Sequence, residues 1–87
     1  MRIVQPASFK KDIEGQKKRG KDLDKLKTLI ELLVSGSDLP ESYRDHTLSG
    51  NWIGWRDCHI EPDWILIYKL TPEALTLGRT GSHSDLF

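Results

Sequence analysis

The spacing of apolar positions changes along this chain, and each change predicts an element. Arg2-Ile3-Val4-Gln5 reads as a short strand that stops at Pro6. Phe9 and Ile13 then stand one turn apart, on a helix that Ser8 would cap and that runs to about Lys18. Gly20 interrupts it and Asp22 offers a second cap. Beyond Asp22, Leu23, Leu26, Leu29, Ile30, Leu33 and Val34 form an apolar stripe at helical spacing. Gly36 stands where a helix commonly ends in a left-handed glycine. The short connection between two amphipathic segments predicts an antiparallel helical hairpin.

Residues 37–45 are polar with one proline, a loop leading to His46. After the turn signal Gly50-Asn51 the period shortens. A strand is predicted from Trp52 to Ile60, then a turn at Glu61-Pro62-Asp63, then a strand from Trp64 to Leu70. The latter is apolar on both faces except at Lys69, as in a central strand. Thr71-Pro72-Glu73 makes the next turn, Ala74 to Thr80 the last strand, and residues 81–87 a polar tail ending in Phe87. The expected fold is α+β: a small antiparallel sheet built from the N-terminal strand and a three-stranded meander. The helices cover one face, with Ile65 and Ile67 against them. Eighty-seven residues without repeat or linker suit one domain, residues 1–87.

Composition narrows the class. A hydrophobic fraction of 37% with 30% charged residues suits a soluble globular protein rather than a disordered one. A lone cysteine, Cys58, cannot form an internal disulfide and points to a reducing compartment. No apolar run is long enough to span a bilayer, and the N-terminus lacks a signal peptide's apolar region, so the cytosol is the expected location and no membrane partner is expected. Net charge is zero, yet residues 1–34 carry nine Lys/Arg against five Asp/Glu, and residues 35–87 four against eight. Charges farther apart than a Debye length are largely screened from one another, so a basic half can still meet a polyanion, or an acidic protein partner. Lys17, Lys18 and Lys21 are the candidates for phosphate contact; a solvated helix surface is the simpler reading of the same lysines.

Chemistry concentrates at the margins of the strands. His59 and Asp63 flank one turn, and the last strand finishes at that same end, bringing Arg79 and His83 with it. His46 precedes the strand whose far end carries His59, so a long loop would have to fold over for it to join. Two histidines can supply the acid and the base of one reaction. An arginine suits a phosphate. A phosphodiester attacked by its neighbouring 2′-hydroxyl needs that set, and Trp64 and Phe87 at the rim could hold an unstacked base. The composite is a metal-free ribonuclease with no cofactor. Arg79 shares strand parity with Leu75 and Leu77, so a regular strand would aim it into the core unless Gly78 hosts a bulge. Three histidines and an aspartate could hold a metal, but no HExxH, CxxC or helically spaced histidine pair supports that. Cys58 should face away from His59, which argues against a thiol nucleophile.

The run His46, Leu48, Gly50, Trp52, Gly54, Arg56-Asp57, His59 and Glu61-Pro62-Asp63-Trp64-Ile65-Leu66-Ile67-Tyr68 resembles the RelE-like bacterial toxins, and in detail the YafQ group among them. The ending Arg79-Thr80-Gly81-Ser82-His83-Ser84-Asp85-Leu86-Phe87 and the lysine-rich hairpin are also similar, so the resemblance covers essentially all 87 residues. It implies a small sheet with two helices on one side. It implies a type II toxin that cleaves mRNA in the ribosomal A site and is neutralised by a cognate antitoxin, with operator DNA bound only through the toxin–antitoxin complex. The positions that the group uses for catalysis and RNA contact match His46, His59, Asp63, Trp64, Arg79, His83 and Phe87. His83 is then the expected general acid and Asp63 or His59 the base. A RelE-fold module that binds RNA without cutting it, or acts as a corepressor, is the alternative.

Overall fold

In the computed structural model, which describes residues 1–87, ten short elements make up the fold, five of them the strands of one sheet. The strands are β1 (Arg2–Val4), β2 (His46–Thr47), β3 (Arg56–Glu61), β4 (Trp64–Leu70) and β5 (Ala74–Gly81). The helices are α1 (Ala7–Lys18), α2 (Leu23–Ser35) and a single turn α3 (His83–Leu86). Two 3₁₀ turns, Glu41–Tyr43 and Gly50–Trp52, lie in the connections.

Local chemistry accounts for most helix ends. Asp22 caps α2 by accepting the Asp24 amide at 3.0 Å, and Gly36 closes it in the left-handed region at φ 74°. Ser8 is not the cap of α1. The helix begins at Ala7, and the Pro6 carbonyl accepts the amides of Phe9 and Lys10, so the first turn is nucleated one step earlier and Ser8 lies inside it. Proline's fixed φ suits that position.

The sheet order is β1-β5-β4-β3-β2. The meander is antiparallel as expected, but β1 runs parallel to β5, with Ile3 opposite Leu75, so the sheet is mixed. β3 is shorter than expected. Gly54 takes φ 88°, which turns residues 52–55 out of the sheet before Arg56 enters it.

Phe9, Leu26, Leu29 and Leu33 from the helices share one core with Cys58, Trp64, Leu66, Tyr68, Leu75 and Leu77. Each fully buried Leu contributes roughly 1.5–3 kcal/mol. Ile65 and Ile67 are equally buried, but strand alternation points them at the other face. The expectation that they meet the helices is thus reversed: Trp64, Leu66 and Tyr68 do. On the far face Trp55 lies so close to Gly78 that a Cβ there would sit 2.7 Å from its ring. Register slips at this point, from Ile67 opposite Arg79 to Tyr68 opposite Leu77, which makes Gly78 the extra residue of a bulge.

Candidate active site

Residues directly opposed on antiparallel strands share a face. His46 is opposite Asp57, Asp57 opposite Ile67, and His59 opposite Ile65. His46, Asp57 and His59 therefore stand together on the sheet face away from α1 and α2. The loop that had to fold over does so through Asp45. Its carboxylate accepts Arg56 Nη2 at 2.9 Å and the Tyr68 hydroxyl at 2.6 Å, tying residue 45 across β3 to β4. Burial first, and then that carboxylate, push the Tyr68 phenol up, so it remains a donor. Arg44 enters β2 in the left-handed region at φ 48°, which costs a residue with a Cβ roughly 1–2 kcal/mol. Its carbonyl lies 2.9 Å from His46 Nδ1, and a carbonyl only accepts, so Nδ1 donates. That leaves Nε2 facing Asp57 Oδ1 at 3.0 Å, a contact without the alignment of a hydrogen bond.

The rings form a row. His46 and His59 lie 6.3 Å apart, centroid to centroid, and nearly stacked at 30°. His59 and His83 follow at 5.4 Å, then His83 and Phe87 at 6.5 Å. His83 arrives from α3, where Ser82 and Asp85 cap each other reciprocally. Asp63 Oδ1 accepts both the His83 amide at 2.9 Å and His83 Nδ1 at 2.6 Å. Those two bonds, the amide's first, hold the Asp63 carboxyl below the usual aspartate range. It is a fixed anion that leaves His83 Nε2 free to exchange a proton. His59 Nδ1 is buried without a partner, so Nε2 is the nitrogen it can offer.

Of the expected site residues, the structure thus gathers His46, His59, Asp63, His83 and an exposed Phe87. It does not gather Trp64, Arg79 or Lys21. Trp64 is wholly inaccessible on the helix face, its Nε1 donating to Thr80 Oγ1 at 3.0 Å, so the expected substrate contact is corrected to a core role. The Gly78 bulge keeps Arg79 out of the core, but its guanidinium grips Asp12 of α1 at 2.6 and 3.0 Å. Asp12 also accepts the Thr80 amide, where β5 has outrun β1. Lys21 and Lys25 both hold Glu61, at 2.9 and 3.0 Å, whereas Lys17 and Lys18 are exposed at the end of α1.

Asp57 escaped the sequence reading. It is buried beneath the row; burial pushes its carboxyl up and the fields of His46, His59 and His83 draw it back. The signal was present, since Asp57 shares strand parity with His59. No group of three or more His, Cys, Asp or Glu side chains has a spacing that would hold a metal ion, and no helix is long and apolar enough to cross a membrane.

Known proteins match this chain in sequence and fold over nearly its whole length. The family described as "Bacterial toxin of type II toxin-antitoxin system, YafQ" matches residues 1–87. The mRNA interferase toxin YafQ of Escherichia coli (strain K12) is 52% identical over 86 residues, 98% of this chain and 94% of that protein. The crystal structure of YafQ from E. coli strain BL21(DE3) superposes with a TM-score of 0.95 at 48% identity, covering 100% of this chain and 99% of that one. YafQ in the E. coli DinJ–YafQ complex does so with 0.92 at 49% identity, again over 100% and 99%. With the fold, the full length and the identity in agreement, the chain belongs to the YafQ family of toxins of type II toxin–antitoxin systems.

Proposed function

We propose that this toxin is an endoribonuclease that cuts mRNA on the ribosome at the histidine row, and that a cognate antitoxin neutralises it. The observation that carries the reading is the pairing of His83 Nδ1 with the Asp63 carboxylate at 2.6 Å, beside His59 at 5.4 Å. Asp63 orients the His83 ring through Nδ1, which turns Nε2 toward the substrate, where it can deliver a proton to the leaving 5′-oxygen. His59, one ring away, takes the proton of the attacking 2′-hydroxyl. Asp63 is thereby assigned to orientation rather than to the base role, because its carboxyl is held low and its Oδ1 is engaged. His46 braces the His59 ring from its other side, 6.3 Å away. Phe87, exposed at the end of the row, packs a base of the substrate. Arg79 is the expected partner of the phosphorane charge on condition that the incoming phosphate exchanges with Asp12.

The partners follow the same reasoning. The relatives named above include a toxin crystallised with DinJ, which favours an antitoxin of that kind here, and operator DNA is reached through that complex. Lys17 and Lys18 offer exposed cations for ribosomal RNA.

Primer extension on an mRNA in a translating extract, with and without ribosomes, tests the proposal. The protein should cut at a recurring position within codons and only with ribosomes. His83→Ala should lower cleavage by about 10²–10⁴ while the fold and antitoxin binding stay intact. A folded His83→Ala protein that cuts at the original rate would remove the assignment.

A further inference from the structure

Beside the histidine row the surface opens into a cleft of about 410 Å³, with His59 on one wall. Lys25 comes to it from α2, Tyr43 and Arg44 from the 3₁₀ turn and its cap, and Glu61 from the end of β3. The volume lies within the range of small-ligand sites. Its charge is positive where it is free. Glu61, the one acid on the wall, is already held by Lys21 and Lys25. The acid next to Arg44, Asp45, is held by Arg56 and Tyr68. Arg44 itself is exposed, and no carboxylate pairs with it. It also stands in the left-handed conformation that glycine would adopt without strain, and its carbonyl holds His46 in the row. A strained non-glycine residue at the mouth of a site suggests that its side chain is required there.

We propose that this cleft is a nucleotide subsite, in which Arg44 holds the phosphate next to the scissile one and Tyr43 lies along its base. The inference rests on the mRNA-cleavage reading and names where the substrate strand runs: from Phe87 along the histidines and past His59 into the cleft. A guanidinium suits a phosphate at such a point because it is planar, permanently charged and free of a competing anion. Arg79 is gripped by Asp12, which makes Arg44 the cation available before any rearrangement. A base lying against Tyr43 would be read by the shape of the cleft, so the subsite should influence which sequences are cut.

Arg44→Gly separates the side chain from the backbone, since glycine keeps the left-handed turn and the carbonyl that anchors His46. Single-turnover cleavage of a ribosome-bound mRNA should then show kcat/KM lowered about tenfold or more, with part of the loss in kcat, and a broadened set of cut sites. Arg44→Lys should recover part of the rate. Thermal melting of Arg44→Gly should be unchanged or raised. Cleavage by Arg44→Gly at the original kcat/KM and at the original sites overturns the subsite. So does a loss confined to ribosome affinity, with kcat and the cut sites unchanged, because that would place Arg44 on ribosomal RNA. Failure of the original protein to cut any mRNA under the same conditions would instead count against the nuclease reading.

Discussion

Asp63 shows how one side chain changes the meaning of its neighbours. It follows a proline in a turn, where an aspartate commonly only shapes the backbone. Here a single oxygen accepts two bonds from His83, and both favour the anion. The sign of the pH dependence follows. A carboxyl whose folded pKa lies below its unfolded value keeps the interaction at and above the ordinary aspartate range, and loses it as pH falls through the lowered folded value. Carbon-detected NMR titration should therefore find Asp63 protonating below the ordinary aspartate range, and His83→Ala should move it back toward that range. Asp63→Asn keeps the shape but removes the charge, so cleavage should fall about tenfold to a hundredfold with the melting temperature little changed. An Asp63 that titrates in the ordinary aspartate range would separate it from His83. The convergence of His59, Asp63 and His83 was legible in the sequence because strand parity and meander topology suffice to place all three. The burial of Trp64 was less so. Its parity matches Leu66 and Tyr68, but which parity faces the helices depends on the sheet's packing.

At the scale of elements, the weakest part of the site is the four-residue α3, which carries His83 and is followed by Phe87. One turn cannot hold itself in water. Asp85 holds it from two sides: Oδ2 accepts the Ser82 amide at 2.9 Å, and both carboxylate oxygens accept the Arg19 guanidinium, at 2.6 and 3.1 Å. The Arg19 bonds, more than the Ser82 amide, drive the Asp85 carboxyl far below the ordinary range. Gly81 makes room for this, as a Cβ there would stand 2.9 Å from Asp85 Oδ2. Asp85→Ala should leave the melting temperature nearly unchanged, since exposed pairs contribute little to stability. It should lower cleavage about tenfold by loosening His83. Arg19→Ala should do the same, and unchanged single-turnover rates in both would show that α3 holds its place without them. None of this was legible beforehand, because a contact across 66 residues leaves no local period. The same holds for His46. The sequence shows a loop of the right length, but Asp45 bonding to Arg56 and Tyr68 is what folds it over. Arg79 was half legible: Gly78 announced a bulge, while Asp12 could not be anticipated.

For the molecule as a whole, the uneven charge explains how a protein of zero net charge could meet a polyanion. The fold brings part of the acidic half onto the basic helices, where Glu61 engages Lys21 and Lys25, and Asp85 engages Arg19. Those bases therefore hold structure together, and Lys17 and Lys18 are adjacent, exposed cations immediately before the Arg19 that clamps α3. A ribosome contact made by this end of α1 would also place α3 and the histidine row against the bound mRNA. Each phosphate that a lysine neutralises releases counterions, so binding weakens with salt by roughly 0.7–0.9 per contact in logarithmic slope. Lys17→Glu with Lys18→Glu should therefore weaken ribosome binding and flatten its dependence on KCl by roughly 1.4–1.8. Sedimentation with ribosomes across a KCl series measures both quantities. Replacing Lys21 in the same assay should act differently, because its charge already serves Glu61, and its loss should appear in the melting temperature as much as in the slope. An unchanged slope in the Lys17, Lys18 variant would mean that this end of α1 faces solvent, leaving the ribosome to approach from another side of the histidine row.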